Sequence, residues 1–199
     1  MLSEKRKYIS STTLISIFAI LVVSLGAFIL LSASSKPLSD GNEGLIEEVG
    51  NALDLEVAPF VGAIPPEFSL FNLNGEEVSL SNFSGLPVVI NFWATWCAPC
   101  RVEMPAIQSR YEKFKDHGLV VLAVDFDEPS DIVSDFRDEF GLTFEILLDP
   151  GAEVQQLYRN RAYPTTFFID PNGVIQVQHF GPMTEDQMDD NLAKIGLGT

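Results

Sequence analysis

Val88-Val89-Ile90-Asn91-Phe92-Trp93-Ala94-Thr95-Trp96-Cys97-Ala98-Pro99-Cys100-Arg101-Val102-Glu103-Met104-Pro105 is the stretch on which the reading of this chain turns. Val88 to Trp93 is a short, nearly continuous apolar run, the pattern of a strand buried on both faces. The chain then turns, and Cys97 and Cys100 stand at the start of an expected helix. Met104, Ile107, Tyr111 and Phe114 recur at helical spacing and give that helix one apolar face. Two cysteines three apart at a helix start can interconvert between a disulfide and two thiols. The helix N-terminus favours negative charge, so the Cys97 thiolate is stabilised relative to a free cysteine.

Other uses of such a pair fit less well. A structural disulfide closing so short a loop removes little unfolded-state entropy. A structural zinc site needs about four ligands, and besides these two cysteines the chain offers only His117 and His179. Inert core thiols need neither Pro99 between them nor a helix start beneath them. Redox chemistry with no metal and no bound cofactor is the expectation.

Trp93-Ala94-Thr95-Trp96-Cys97-Ala98-Pro99-Cys100 resembles the active site of the thioredoxin-like superfamily. The longer run from Asn91 through Arg101, Glu103, Met104 and Pro105 resembles its TlpA/ResA-like branch, membrane-tethered thiol-disulfide oxidoreductases that work outside the cytoplasm. The resemblance covers residues 60 to 197 and implies an α/β, thioredoxin-like fold. The N-terminal part is read on its own.

The length of 199 residues suits one domain with appendages, and the formal charge of −16 argues against nucleic-acid binding. Lys5, Arg6 and Lys7 precede an uncharged stretch from Ile9 to Leu31. As a helix it would run about 35 Å, enough for a hydrocarbon core of about 30 Å. The basic tip orients it with the remainder outside. A cleaved signal peptide is the rival, with Ala33 and its serine neighbours as the cleavage region. The apolar run exceeds the usual signal core, which favours an uncleaved transmembrane signal-anchor over residues 1–35. Residues 36–59 read as a linker in which Leu45, Ile46, Val49 and Leu53 have the spacing of a short amphipathic helix; an acidic tether is the alternative. Residues 60–199 form the expected domain.

Within that domain Asn74-Gly75, between Phe68–Leu73 and Glu77–Leu80, is a hairpin turn signal and resembles the branch's extra N-terminal hairpin. Ala98 to Asp116 is the expected active-site helix, with Pro105 expected to kink it and Gly118 to cap it. His117 reads as a last-turn cation, and Arg101 as pointing to solvent. Leu119–Phe126 is a second core strand. Asp131–Phe140 reads as a helix with Ile132, Val133, Phe136 and Phe140 on one side, ended by Gly141, and Phe144–Leu148 as a further strand. This added helix and strand resemble the branch's central insertion, and the carboxylates along it read as a solvated face. Glu153–Tyr158 is a short helix, Asn172-Gly173 a second hairpin turn before the strand Val174–Phe180, and Thr184 with Gln187 a capping box.

The resemblance supplies the roles. Cys97 is the attacking nucleophile, exposed in the family, and Cys100 resolves the mixed disulfide. Pro164 matches the cis proline that packs against the pair. Trp96, Tyr163 and Pro164 are the expected substrate-contacting residues, and Tyr163 departs from the small or aliphatic residue common before that proline. Thioredoxins often keep a buried aspartate where this chain has Asn91, and Glu103 is the expected group for proton transfer, as in the branch. The resemblance also implies a membrane thiol-electron donor of the CcdA or DsbD type. It implies exported proteins, including apocytochrome c, as disulfide substrates. The domain is expected to act as a monomer on the outer face of the cytoplasmic membrane, or in the periplasm. A net disulfide-forming oxidant is the main alternative. A thiol peroxidase is disfavoured by Ala94, where such enzymes carry threonine, and a tethered binding module by the intact pair with Pro164.

Overall fold

The computed structural model describes residues 55–198. The expected anchor (1–35) and nearly all of the expected linker (36–59) lie outside the described residues. Among the described residues no helix is long and apolar enough to cross a membrane. The chain runs through β1 (Ser69–Asn72), β2 (Glu77–Ser79), β3 (Val88–Trp93), α1 (Ala98–Phe114), β4 (Val120–Phe126) and α2 (Ser130–Phe140). It continues through β5 (Glu145–Asp149), α3 (Glu153–Leu157), β6 (Thr165–Ile169), β7 (Ile175–Phe180) and α4 (Glu185–Lys194).

All seven strands form one mixed sheet in the order β2-β1-β5-β4-β3-β6-β7. β3 pairs parallel with β4 and antiparallel with β6. β4 pairs parallel with β5, and β5 receives β1 antiparallel. The expected hairpin and insertion are therefore one extension of the sheet, since the inserted strand β5 is what the hairpin pairs with. This is a thioredoxin-like α/β fold with added N-terminal and central elements.

Every residue of β3 is buried, as an apolar run flanked by strands on both sides requires. Its side chains alternate between two cores. Val89 and Trp93 join Cys97, Cys100, Met104 and Ile107 of the α1 side, with Met188 and Leu192 of α4. Val88, Ile90 and Phe92 face Phe68, Leu122, Leu147, Tyr158 and Phe167.

Most of the expected elements stand, with differences that have physical causes. The strand expected over Phe144–Leu148 spans Glu145–Asp149. Helix α1 runs through Pro105 as one element. It gives way to a short 3-10 turn, Lys115–His117, before Gly118 takes the left-handed φ of 90°. His117 sits in that turn, edge-on to Phe114 at 6.1 Å between centroids, at the end of α1 remote from the cysteines. On α2, Val133 and Phe136 are buried, but Ile132 is 46 % exposed, so the apolar face is narrower than the sequence pattern. Gly141 ends α2 at φ 61°. The Thr184–Gln187 capping box is present. Arg110 ties α1 to α4 through Asp189 at 2.8 Å and Glu185 at 3.1 Å.

Candidate active site

The site lies where β3 ends and α1 begins. Cys97 is the N-cap of α1, with extended φ/ψ, and its sulfur accepts a hydrogen bond from the Cys100 backbone N–H at 3.2 Å. Pro99 occupies the first turn, where a missing N–H costs nothing. The two sulfurs are joined in a disulfide. Cys100 has no exposed surface and Cys97 only 5 %, so Cys97 is less open than the resemblance implies. Walls on several sides account for this: Ala94 and Met104 pack with the pair, and Tyr163 packs against the same cluster.

Glu103, one helical turn beyond Cys100, faces inward and is 1 % exposed. Asn91 Nδ2 donates to its Oε1 at 2.9 Å, and the Met183 backbone N–H donates to its Oε2 at 3.2 Å. Burial pushes its carboxyl up to about 7, against the lowering effect of these two donors. No hydrogen bond joins Glu103 to either sulfur among the described residues. Asn91 Nδ2 also donates to Thr166 Oγ1 at 2.9 Å, while its Oδ1 is buried without a partner. Reversing that amide would let Oδ1 accept from both Thr166 and a protonated Glu103, so one neighbour serves both charge states.

The rim is aromatic. Trp96 is 61 % exposed and stands edge-on to Tyr163 (5.8 Å) and Phe126 (6.2 Å). Tyr163 and Phe126 complete the triangle at 5.3 Å. The Tyr163–Pro164 peptide is cis, and Pro164 is buried, its carbonyl accepting from the Gly181 N–H at 2.9 Å. The Tyr163 hydroxyl donates to Gln155 Oε1, which draws that end of the ring inward. Burial first, then the charges of Asp149 and Asp125, push its phenol up to about 12. The structure thus gathers Cys97, Cys100, Trp96, Tyr163 and Pro164 at one place, with Glu103 behind the pair. Arg101 departs from expectation. It neither points freely into solvent nor turns to the sulfurs, but pairs with Glu139 at 2.7 Å and lies over the rings of Phe136 and Phe140 at 5.0 and 4.9 Å.

Sequence reading passed over two further carboxyls. Asp125, at the end of β4 and in register with Trp93, has no exposed surface. Glu128, three residues on, receives the Thr95 backbone N–H and the Thr95 hydroxyl, each at 2.6 Å. The signal was available in the position of Asp125 inside the apolar run Val120–Phe126, where a solvated carboxylate has no place. Among the described residues no cluster of three or more potential ligands is arranged to hold a metal ion.

This layout matches known proteins. A model of the AhpC/TSA family matches residues 61–178. The chain is 40 % identical over 140 residues to the thiol-disulfide oxidoreductase ResA of Geobacillus kaustophilus, covering 70 % of this chain and 80 % of that protein. It is 42 % identical over 140 residues to the thioredoxin-like protein YneN of Bacillus subtilis, covering 69 % and 81 %. The crystal structure of a putative thiol:disulfide interchange protein DsbE from Chlorobium tepidum superposes with a TM-score of 0.64 at 33 % identity, covering 69 % of this chain and 99 % of that one. With the disulfide at the start of α1, a cis peptide before Pro164 and the inserted α2–β5 unit, the chain belongs to the AhpC/TSA family with its thioredoxin-like fold, and its relatives there make it a thiol-disulfide oxidoreductase of the ResA/DsbE type.

Proposed function

We propose that this oxidoreductase works as a net reductant of disulfides in exported proteins, outside the cytoplasm, tethered by its N-terminal apolar segment. The observation that carries the direction is the electrostatics of the pair. A dithiol becomes a strong oxidant when its thiolate is heavily stabilised. Here the nearest cation in sequence, Arg101, is engaged by Glu139, while Glu103, Asp125 and Glu128 surround the site with carboxyl groups. Among the described residues the N-terminus of α1 is left as the feature that favours the Cys97 thiolate, so the disulfide is the preferred state and the reduced pair passes electrons on.

In the reaction the Cys97 thiolate attacks a sulfur of the substrate disulfide. The mixed disulfide forms as the substrate's other sulfur leaves as a thiolate. Cys100 then attacks Cys97, the Cys97–Cys100 disulfide forms, and the substrate leaves with two thiols. Cys100 must lose a proton for the second attack. Glu103, one turn away with its carboxyl poised at about 7, is the group that takes it. Trp96, Tyr163 and Pro164 supply the surface along which the substrate chain lies. The resemblance of Asn91–Pro105 to the TlpA/ResA-like branch is what suggests apocytochrome c as a substrate and a membrane electron donor of the CcdA or DsbD type to re-reduce the pair.

Equilibration of the full chain with glutathione measures the potential. A value at or below about −220 mV is expected, and one near about −120 mV, that of a strong oxidant, overturns the reductase reading. Trapping in cells with Cys100→Ser then identifies the proteins held on Cys97, with exported cysteine proteins expected.

A further inference from the structure

In α3 one of the side chains turned inward is an amide. Gln155 is 1 % exposed, whereas Leu157, two residues on, is 45 % exposed. An apolar side chain at position 155 would fill the core without burying a polar group. The Gln155 Nε2 is buried with no partner. Its Oε1 has one, the Tyr163 hydroxyl, which donates to it. A buried amide left half satisfied is destabilising. The bond to Tyr163 is what a glutamine supplies here and a leucine would not.

The acceptor is fixed before Tyr163 reaches it. The Gln155 N–H donates to Asp149 Oδ2 at 3.0 Å and the Val154 N–H to Asp149 Oδ1 at 3.1 Å, which ties α3 to the end of β5. The Gln155 carbonyl accepts from the Asn160 N–H at 2.8 Å, which ties it to the turn that leads to Tyr163. Tyr163 then spans from this anchor to the rim. Its hydroxyl is bonded to Gln155, and its ring stands edge-on to Trp96 at 5.8 Å and tilted against Phe126 at 5.3 Å. Trp96, 61 % exposed and next to Cys97, has its aromatic contacts among the described residues with these two rings. Its orientation therefore follows that of Tyr163.

We propose that Gln155 is a positioning residue that sets substrate discrimination: by anchoring the Tyr163 hydroxyl it holds Tyr163 and Trp96 in the orientation that receives a polypeptide chain beside Cys97. Buried as it is, Gln155 acts through the Tyr163 ring. The inference rests on the reading of Trp96, Tyr163 and Pro164 as the substrate surface. Cys97 is only 5 % exposed, so a polypeptide disulfide must cover this rim to bring its sulfur to the nucleophile. A disulfide as small as oxidised glutathione covers little of it. An ordered rim therefore favours the polypeptide over the small disulfide. Without the anchor the Tyr163 hydroxyl turns toward water for a partner, and Trp96 loses the ring against which it packs.

The test uses the full chain carrying Cys100→Ser, in which the exchange stops at the first step. The Cys97 thiolate attacks a substrate sulfur, a new S–S bond forms, the substrate disulfide opens, and its other sulfur leaves as a thiolate. No net electrons pass, so the result is independent of the direction in which the native pair works. Rate constants for mixed-disulfide formation are measured with insulin and with oxidised glutathione, and their ratio is compared between variants. In Gln155→Leu the ratio of insulin to glutathione is expected to fall about fivefold, the effect of one lost hydrogen bond. Tyr163→Phe removes the same bond from the other end and is expected to lower the ratio equally. The double variant is expected to fall no further. A wild-type ratio in Gln155→Leu, or a double variant that falls by the product of the two, overturns the proposal. Tyr163→Ala separates the two readings. A wild-type ratio there strikes the substrate surface itself and this inference with it. A lowered ratio there, beside a wild-type ratio in Gln155→Leu, strikes this inference alone. If Gln155→Leu does not fold, Tyr163→Phe decides, and a wild-type ratio in it overturns the proposal.

Discussion

β3 sends its side chains into two cores that differ in kind. Toward α1, Val89 and Trp93 alternate with Asn91, and the core there holds the disulfide, Glu103 and Thr166. Toward the hairpin and α3, Val88, Ile90 and Phe92 meet Phe68, Leu147, Tyr158 and Phe167, where the Tyr158 hydroxyl donates to the Pro66 carbonyl at 2.7 Å. The first core buries titratable groups whose charge changes near neutral pH. The second buries area and aromatic edges, with Tyr158 against Phe92 at 5.2 Å and against Phe167 at 5.3 Å. The same strand therefore carries reactivity on one face and stability on the other, and a substitution should reveal which face it strikes.

The largest effect belongs to the apolar face. Phe92→Ala removes a fully buried ring from contact with Tyr158 and Phe167. It is expected to cost about 3–5 kcal/mol of stability in urea unfolding. The redox potential of the folded fraction is expected to stay at the wild-type value. A changed potential would break the division between the faces.

Glu103→Gln strikes the other face and gives a stability change that depends on pH. Burial pushes the Glu103 carboxyl up to about 7 in the folded protein, against an ordinary value of 4.5. A folded pKa raised above the unfolded one means that the native state binds the proton more tightly. Its contribution is fully present below pH 4.5 and is lost as pH rises through 7. Wild type should therefore lose on the order of 3 kcal/mol across that window relative to the neutral glutamine. Unfolding of both proteins at pH 4.5, 6 and 8 checks it: parallel curves would mean that Glu103 is not buried as a carboxylate in solution. The same variant is expected to resolve the mixed disulfide more slowly. Unchanged rates and thiol titration between pH 5 and 10 would send the Cys100 proton to water instead.

Much of this was legible in the sequence because it depends on local pattern. The continuous apolar run gave β3, the cysteine spacing with Pro99 gave the start of α1, and Asn74-Gly75 and Asn172-Gly173 gave their turns. Glu103 was legible through helical spacing from Cys100. What was missed depends on tertiary neighbours. The partner of Glu128 is Thr95, 33 residues away, and no period links them. Arg101 was read as solvated because its acceptor lies on α2, 38 residues on. Ile132 was placed with the buried residues of α2, yet the helix turns only Val133 and Phe136 fully inward. Pairing β5 with both β1 and β4 likewise followed from no single segment.

Tyr158→Phe gives the smallest and most discriminating change. Its ring is 1 % exposed and stays packed among Phe68, Phe92 and Phe167, so the substitution removes no apolar area. What it removes is the hydrogen bond to the Pro66 carbonyl, at a buried proline just before the hairpin. A buried acceptor left without a donor costs about 1–3 kcal/mol, and a neutral carbonyl falls toward the lower end. Burial, with the negative charge of Glu67, raises the phenol well above its ordinary value, so Tyr158 stays neutral throughout the accessible pH range. The loss should therefore be the same at pH 5, 7 and 9, in contrast to the pH-dependent difference at Glu103. Urea unfolding at those three values separates the outcomes. A constant loss of about 1 kcal/mol places Tyr158 wholly with the stabilising face. A loss that grows with pH would mean that the hydroxyl communicates with the titrating groups across the sheet, and the two cores would have to be treated as one.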